Sequence, residues 1–262
     1  MSQLVYGKNT VIQLLKSGRD FRKLLIAKDS KNQEIIDLAK RQNQKITFVS
    51  RKELDALTKE NHQGVYGEIE DFRTYTLEDL LESIPQGKLP LLVMLDSLED
   101  PHNLGAILRT CDAVEVDGVI IRKNRSVSLN ATVAKVSCGA IDTVKVAEVT
   151  NLNETLKTLK KQGYWVCGAD NNQALDYRAV DYNMPLVLVI GSEGAGISHL
   201  VQKSLDYSVV LPMKGQITSL NASVATGIML YEIFSQRHPL ENGVSYGSSK
   251  GKGTGKTVPA GE

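Results

Sequence analysis

Apolar positions along the first ~70 residues change period repeatedly. Val11 to Leu15, behind the helix-capping types Asn9 and Thr10, predict a helix, and Arg22 to Ala27 predict a strand. Gln33 to Gln42 carries Ile35, Ile36, Leu38 and Ala39 at helical spacing. Lys45 to Val49 predicts a strand, Ser50 caps a short helix through Leu57, and Gly64 to Glu70 alternates like a strand. The result is a compact α/β unit near the lower size limit for independent folding.

The pattern then changes. Residues 71–89 read as a connector with a helix over Leu77 to Ile84 and a turn at Pro85-Gln86-Gly87-Lys88. From Pro90 to about Gln236 the strands are near-continuous apolar runs at 91–95, 118–121, 186–190 and 207–211. Such runs mark a parallel sheet covered on both faces. Val224 to Phe234 is a periodic apolar helix. From about residue 240 the chain is rich in Gly, Ser and Lys and is expected to be disordered. The expected division is 1–72, a connector 73–89, a second domain 90–238 and a tail 239–262.

Composition narrows the class. A chain of 262 residues, 42% hydrophobic and 23% charged, is ordinary for a soluble globular protein of one large or two smaller domains. No apolar run approaches the ~18–20 residues of a membrane span. The start, Met1 to Lys8, lacks a basic-then-apolar leader, so the expected location is cytoplasmic, with no membrane partner. Cys111, Cys138 and Cys167 form no C-x-x-C pair. They read as reduced, buried thiols, and no metal site is expected. Net charge is +1, but residues 1–74 carry 14 Lys and Arg against 10 Asp and Glu. That excess suits phosphate contacts and equally suits a solvated face.

Candidate chemistry sits where three apolar strands run into polar loops. Leu91–Asp96 leads to Asp100-Pro101-His102-Asn103-Leu104-Gly105 and Arg109. Leu186–Gly191 leads to Ser192-Glu193-Gly194-Ala195-Gly196, and Leu211-Pro212-Met213-Lys214-Gly215 leads to Ser219-Leu220-Asn221-Ala222-Ser223. Taken singly, each has a plain reading. Asn103 can cap a helix starting near Leu104, Arg109 can be a surface residue, Ser219 and Asn221 can be caps, and the glycines a tight turn. As a set they read as one composite site, with free backbone N–H groups aimed at a ligand. Glu193 would repel a pyrophosphate, and the G-x-G-x-x-G order of a dinucleotide fold is missing, which disfavours a nicotinamide enzyme. Gly253-Thr254-Gly255-Lys256-Thr257 imitates a P-loop ending, but Lys250 stands where a glycine is needed and no strand or helix flanks it.

The three motifs together resemble those of the SpoU/TrmH family, RNA ribose 2′-O-methyltransferases of the SPOUT superfamily. The likeness covers ~90–236, and residues 1–72 are similar to the substrate-binding domain of RlmB-like members. Leu211 and Ala222 stand where isoleucine and valine are the family's usual residues, an apolar-for-apolar departure. The resemblance implies a knotted (trefoil) parallel-sheet catalytic domain behind a small RNA-binding domain, acting as a homodimer. It implies S-adenosylmethionine as co-substrate, held by the backbone of Gly191, Leu211 and Leu220. It implies Arg109 at the attacking hydroxyl, Asn103 orienting Arg109 or the ribose, and Glu193, Ser219 and Asn221 completing the pocket. The expected substrate is a guanosine ribose in large-subunit (23S) ribosomal RNA. Transfer RNA is the same-class alternative, and a non-catalytic RNA-binding protein the alternative from another class.

Overall fold

The computed structural model describes residues 2–124, 126–170, 174–217 and 219–239. The expected disordered tail and the P-loop imitation lie outside them.

The first unit runs β1 (Ser2–Tyr6), α1 (Lys8–Lys16), β2 (Phe21–Ala27), α2 (Gln33–Arg41), β3 (Ile46–Val49), α3 (Arg51–Leu57) and β4 (Val65–Glu70). Its four strands lie in the order β1-β4-β2-β3, antiparallel except for the parallel β2–β3 pair. Leu14 and Leu15 of α1 and Ile35 of α2 pack with Leu24 and Ile26 on one face. Leu54 of α3 covers Leu25, Ala27 and Tyr66 on the other. Ser50 caps α3 as expected, in a reciprocal box with Glu53. The cap expected from Asn9 and Thr10 is corrected: α1 starts at Lys8. Gly7, at φ 88°, turns the chain into it, and Gln63 Oε1 accepts from the Lys8 N–H at 2.9 Å. A side chain 55 residues away has replaced the local cap.

Next come α4 (Leu77–Glu82), β5 (Leu91–Leu95), α5 (Pro101–Ala113), β6 (Gly118–Arg122), α6 (Ala131–Ser137), α7 (Ala140–Thr143) and β7 (Val146–Val149). The chain finishes with α8 (Leu152–Lys161), β8 (Trp165–Ala169), β9 (Leu175–Asp176), β10 (Leu186–Ile190), α9 (His199–Gln202), β11 (Tyr207–Val210) and α10 (Ala222–Arg237). Seven strands form one sheet in the order β7-β6-β5-β10-β8-β11-β9, and every ladder among the described residues is parallel. Leu104, Ile107, Val133, Met229 and Ile233 cover one face, from α5, α6 and α10. Leu80, Leu156, Leu159 and Val201 cover the other, from α4, α8 and α9. This double cover is why β5 and β10 are apolar and buried at every position.

Three strands of this sheet, β7, β8 and β9, went unpredicted. The stretch read as a connector is built into the sheet: Tyr75 exchanges backbone hydrogen bonds with β7, and Leu80 is fully buried. Helix α5 starts three residues before the expected Leu104, because Asp100 accepts from the His102 N–H at 2.8 Å and Pro101 takes the first helical position. Asn103 therefore lies inside the first turn and is not a cap.

Candidate active site

The crevice outside the carboxyl ends of β5, β10, β8 and β11 is where an open parallel sheet presents loop backbone to a ligand. Here the loops are tied together. The Asp96 carboxylate, 2% exposed at the end of β5, accepts from the Ser198 N–H at 2.7 Å and from Ser97 Oγ at 3.1 Å. That joins the first loop to the one after β10. The second loop closes on itself, Ser192 and Gly196 exchanging backbone hydrogen bonds of 3.1 and 2.9 Å.

Three side chains from the three motifs meet. Asn103 Nδ2 donates to Glu193 Oε1 at 2.9 Å. Asn221 Nδ2 donates to Asn103 Oδ1 at 2.9 Å and also to Glu193 Oε1. The Ala222 N–H, at the first turn of α10, points to the same oxygen at 3.4 Å, so Glu193 sits at the N-terminus of that helix. Asn221 Oδ1 accepts from the N–H groups of Ser223 and Val224 at 3.0 and 3.2 Å. The plain and functional readings of Asn221 are both true: it caps α10 and joins the cluster.

Beside this triangle lies a cavity of 330 Å³, a size suited to a nucleoside-like ligand. Gly191, Leu211 and Leu220 line it, with Glu193 and Ser219. Ile190 and Val209 add apolar wall. The only charged residues lining it, among the described residues, are Glu193 and Asp170. A cleft with two carboxylates and no lining cation rejects phosphate and accepts a cationic ligand. S-adenosylmethionine fits: its sulfonium and ammonium outweigh its one carboxylate, leaving it net positive, and its flat base suits aliphatic walls.

Arg109 joins neither the triangle nor the cavity wall. It lies exposed about 9 Å further along α5 than Asn103. Its hydrogen bond goes from Nη1 to Cys138 Sγ, at 3.6 Å. Cys138 is exposed, which corrects the expectation of three buried thiols; Cys111 and Cys167 are buried. The turn from α6 to α7 leaves Cys138 outside both helices' packing faces. Burial pushes the Cys167 thiol up to about 12.

Asp96 and Asp170 were missed. Asp96 had a signal, a lone carboxylate ending the run Leu91–Leu95; Asp170 follows β8, which was not recognised. No group of three or more His, Cys, Asp or Glu side chains is placed to hold a metal ion among the described residues. Nor is any described helix long and apolar enough to cross a membrane.

An open parallel sheet with a carboxylate-flanked cleft at its strand ends, preceded by a small α/β unit, defines a two-part α/β enzyme. Residues 90–231 match the SpoU rRNA Methylase family, and residues 4–75 match the RNA 2'-O ribose methyltransferase substrate binding family. The chain belongs to the SpoU family of RNA methyltransferases. Bacillus subtilis YacO, named for the TrmH family of tRNA/rRNA methyltransferases, is 47% identical over 90% of this chain and 96% of its own. The SpoU methyltransferase AviRb from Streptomyces viridochromogenes superposes with a TM-score of 0.67 at 25% identity, covering 90% of each chain. An AdoMet-bound rRNA methyltransferase from Sinorhizobium meliloti gives a TM-score of 0.65 at 27% identity, over 92% of this chain and 88% of that one.

Proposed function

We propose that this protein transfers a methyl group from S-adenosylmethionine to the ribose 2′-OH of a guanosine in 23S ribosomal RNA, in the cytoplasm. The observation that carries the reading is the meeting of Asn103, Glu193 and Asn221 beside a cleft whose charged lining, among the described residues, is Glu193 and Asp170. Residues 1–72 are read as the RNA-binding domain and 90–238 as the catalytic domain, joined through 73–89. Large-subunit RNA is preferred because of that N-terminal unit; transfer RNA is the alternative. The implied knot belongs to the same reading.

When bound, S-adenosylmethionine supplies a methyl already activated by its sulfonium charge. The chain's own task is placement, with the hydroxyl proton passing to solvent water as the oxygen takes the methyl. Gly191, Leu211 and Leu220 offer backbone groups to a base edge, and Ser219 a hydroxyl at the cavity wall. Glu193, fixed by Asn103 and Asn221, holds a negative charge beside the cleft. Holding two reactants in attacking geometry is worth ~7–11 kcal/mol. A guanidinium is a poor base, so the part given to Arg109 is to hold the neighbouring phosphate and stabilise the developing alkoxide.

A homodimer is part of the proposal. Val224, Ile228 and Tyr231 are 50%, 37% and 55% exposed at helical spacing along α10, an apolar stripe left bare by the single chain. Gly227 shares that side of the helix and has open space where a Cβ would stand. A single-chain mass in sedimentation at micromolar concentration would remove the dimer.

Arg109→Ala is expected to abolish methyl transfer from tritiated donor to RNA while donor binding by calorimetry stays within about twofold. Turnover equal to wild type would remove Arg109 from the mechanism. Mapping ribose methylation in ribosomal and transfer RNA from cells with and without the protein decides the substrate; a lost mark in transfer RNA alone selects the alternative.

A further inference from the structure

We propose that Cys138 is a positioning residue for Arg109: its sulfur, carried at the corner between α6 and α7, holds the guanidinium in its working orientation. This rests on the role given to Arg109 above.

Arg109 is exposed and has no carboxylate partner among the described residues. An arginine so placed samples many rotamers, and catalysis by placement needs one. The contact that selects one is the hydrogen bond from Nη1 to Cys138 Sγ at 3.6 Å.

The sulfur's own position is determined by the backbone. Cys138 ends α6 in the left-handed region at φ 53°, ψ 36°, and Gly139 follows at φ 101°. A left-handed non-glycine residue is costly and turns its side chain out of the helix line. The thiol lies 4.0 Å from the Lys135 carbonyl, to which it donates, leaving its lone pairs to accept from Arg109.

Two further contacts hold the helices that carry the pair. Gly105, one turn before Arg109, lets α5 touch α6: a Cβ there would stand 2.6 Å from Val136 Cβ. On the other side of Arg109, Thr143 Oγ1 donates to Asp112 Oδ1 at 2.5 Å and ties α7 to α5. Arg109 and Cys138 lie between these two points.

A neutral sulfur also suits the task. A carboxylate would neutralise the guanidinium and bind it strongly. A thiol orients it through a weak bond, keeps its charge, and releases its N–H groups when a phosphate oxygen arrives.

The test compares Cys138→Ala, Cys138→Ser and Arg109→Ala in the full-length protein, with RNA and saturating donor. Cys138→Ala is expected to lower kcat about tenfold with the KM for donor unchanged. Cys138→Ser, whose hydroxyl can accept from Arg109, is expected to restore most of that loss. Iodoacetamide, which places a bulky amide on the sulfur, is expected to inactivate the wild type and spare Cys138→Ser. If Arg109→Ala is inactive but Cys138→Ala turns over like wild type, this inference falls and the reading of Arg109 stands. If Arg109→Ala is itself fully active, that reading falls and takes the inference with it. If both Cys138 variants lose activity together with melting temperature, Cys138 only builds the corner, and the inference is overturned.

Discussion

Gly191 follows β10 where the chain has no room for a side chain. A Cβ there would stand 2.1 Å from the carbonyl carbon of Gly196, a backbone atom with no rotamer to yield. Gly191→Ala must therefore push the 192–196 loop away and open the hydrogen-bonded pair that closes it. Loss of measurable donor binding in calorimetry, with the far-ultraviolet circular dichroism of wild type, is expected; wild-type affinity would show that the loop can move without disturbing the cleft. At this scale much of the site was legible. A carboxylate in a glycine loop and an asparagine and arginine behind a strand announce polar chemistry by type. What no short window could show is that Asn103, Glu193 and Asn221 share two oxygens, because the partners lie up to 118 positions apart. The same limit hid Asp96, whose use is visible only once Ser198 donates to it.

Among the elements, α10 joins a structural and a chemical duty in one residue. Asn221 Oδ1 satisfies two of the helix's free N–H groups, while Nδ2 reaches Asn103 and Glu193. Serine caps a helix about as well as asparagine but has no amide to donate. Asn221→Ser is thus expected to keep the melting temperature within a few degrees and to cut methyl transfer at least about tenfold. Full activity in that variant would reduce Asn221 to a cap. Elements with one strong local signal were readable in advance, such as the apolar runs of β5 and β10 and the Ser50–Glu53 start of α3. Those that depend on neighbours were not. Strand β8 starts on an exposed Trp165 and contains Gly168, against which Leu205 and Ile197 pack, so its sequence lacks the run that its buried position implies. Strand β1 alternates from Ser2 to Tyr6 at a sheet edge with Val5 alone buried, so it has no continuous apolar run to announce it.

The two parts of the molecule share one continuous apolar core, in which α1 of the first packs against α6 of the second. Arg19 carries the polar part of that joint: its guanidinium bonds Asp142 on α7 and lies 4.4 Å from the centre of the Phe72 ring. A partly exposed ion pair of this kind adds only about 0–1 kcal/mol, so it does little for overall stability. Its expected effect is geometric: it ties the first unit to α7 and so bears on the angle at which the small sheet approaches the helices carrying Arg109 and Cys138. An RNA long enough to touch both parts must match that angle, whereas a fragment confined to the cleft need not. Arg19→Ala is therefore expected to raise the KM for full-length RNA several-fold and leave both kcat on a short fragment and donor affinity unchanged. Equal losses on long and short RNA would mean that the joint acts on the cleft itself and not on the alignment of the two parts. No change on either would mean that the shared core, Phe72 included, sets the angle without Arg19.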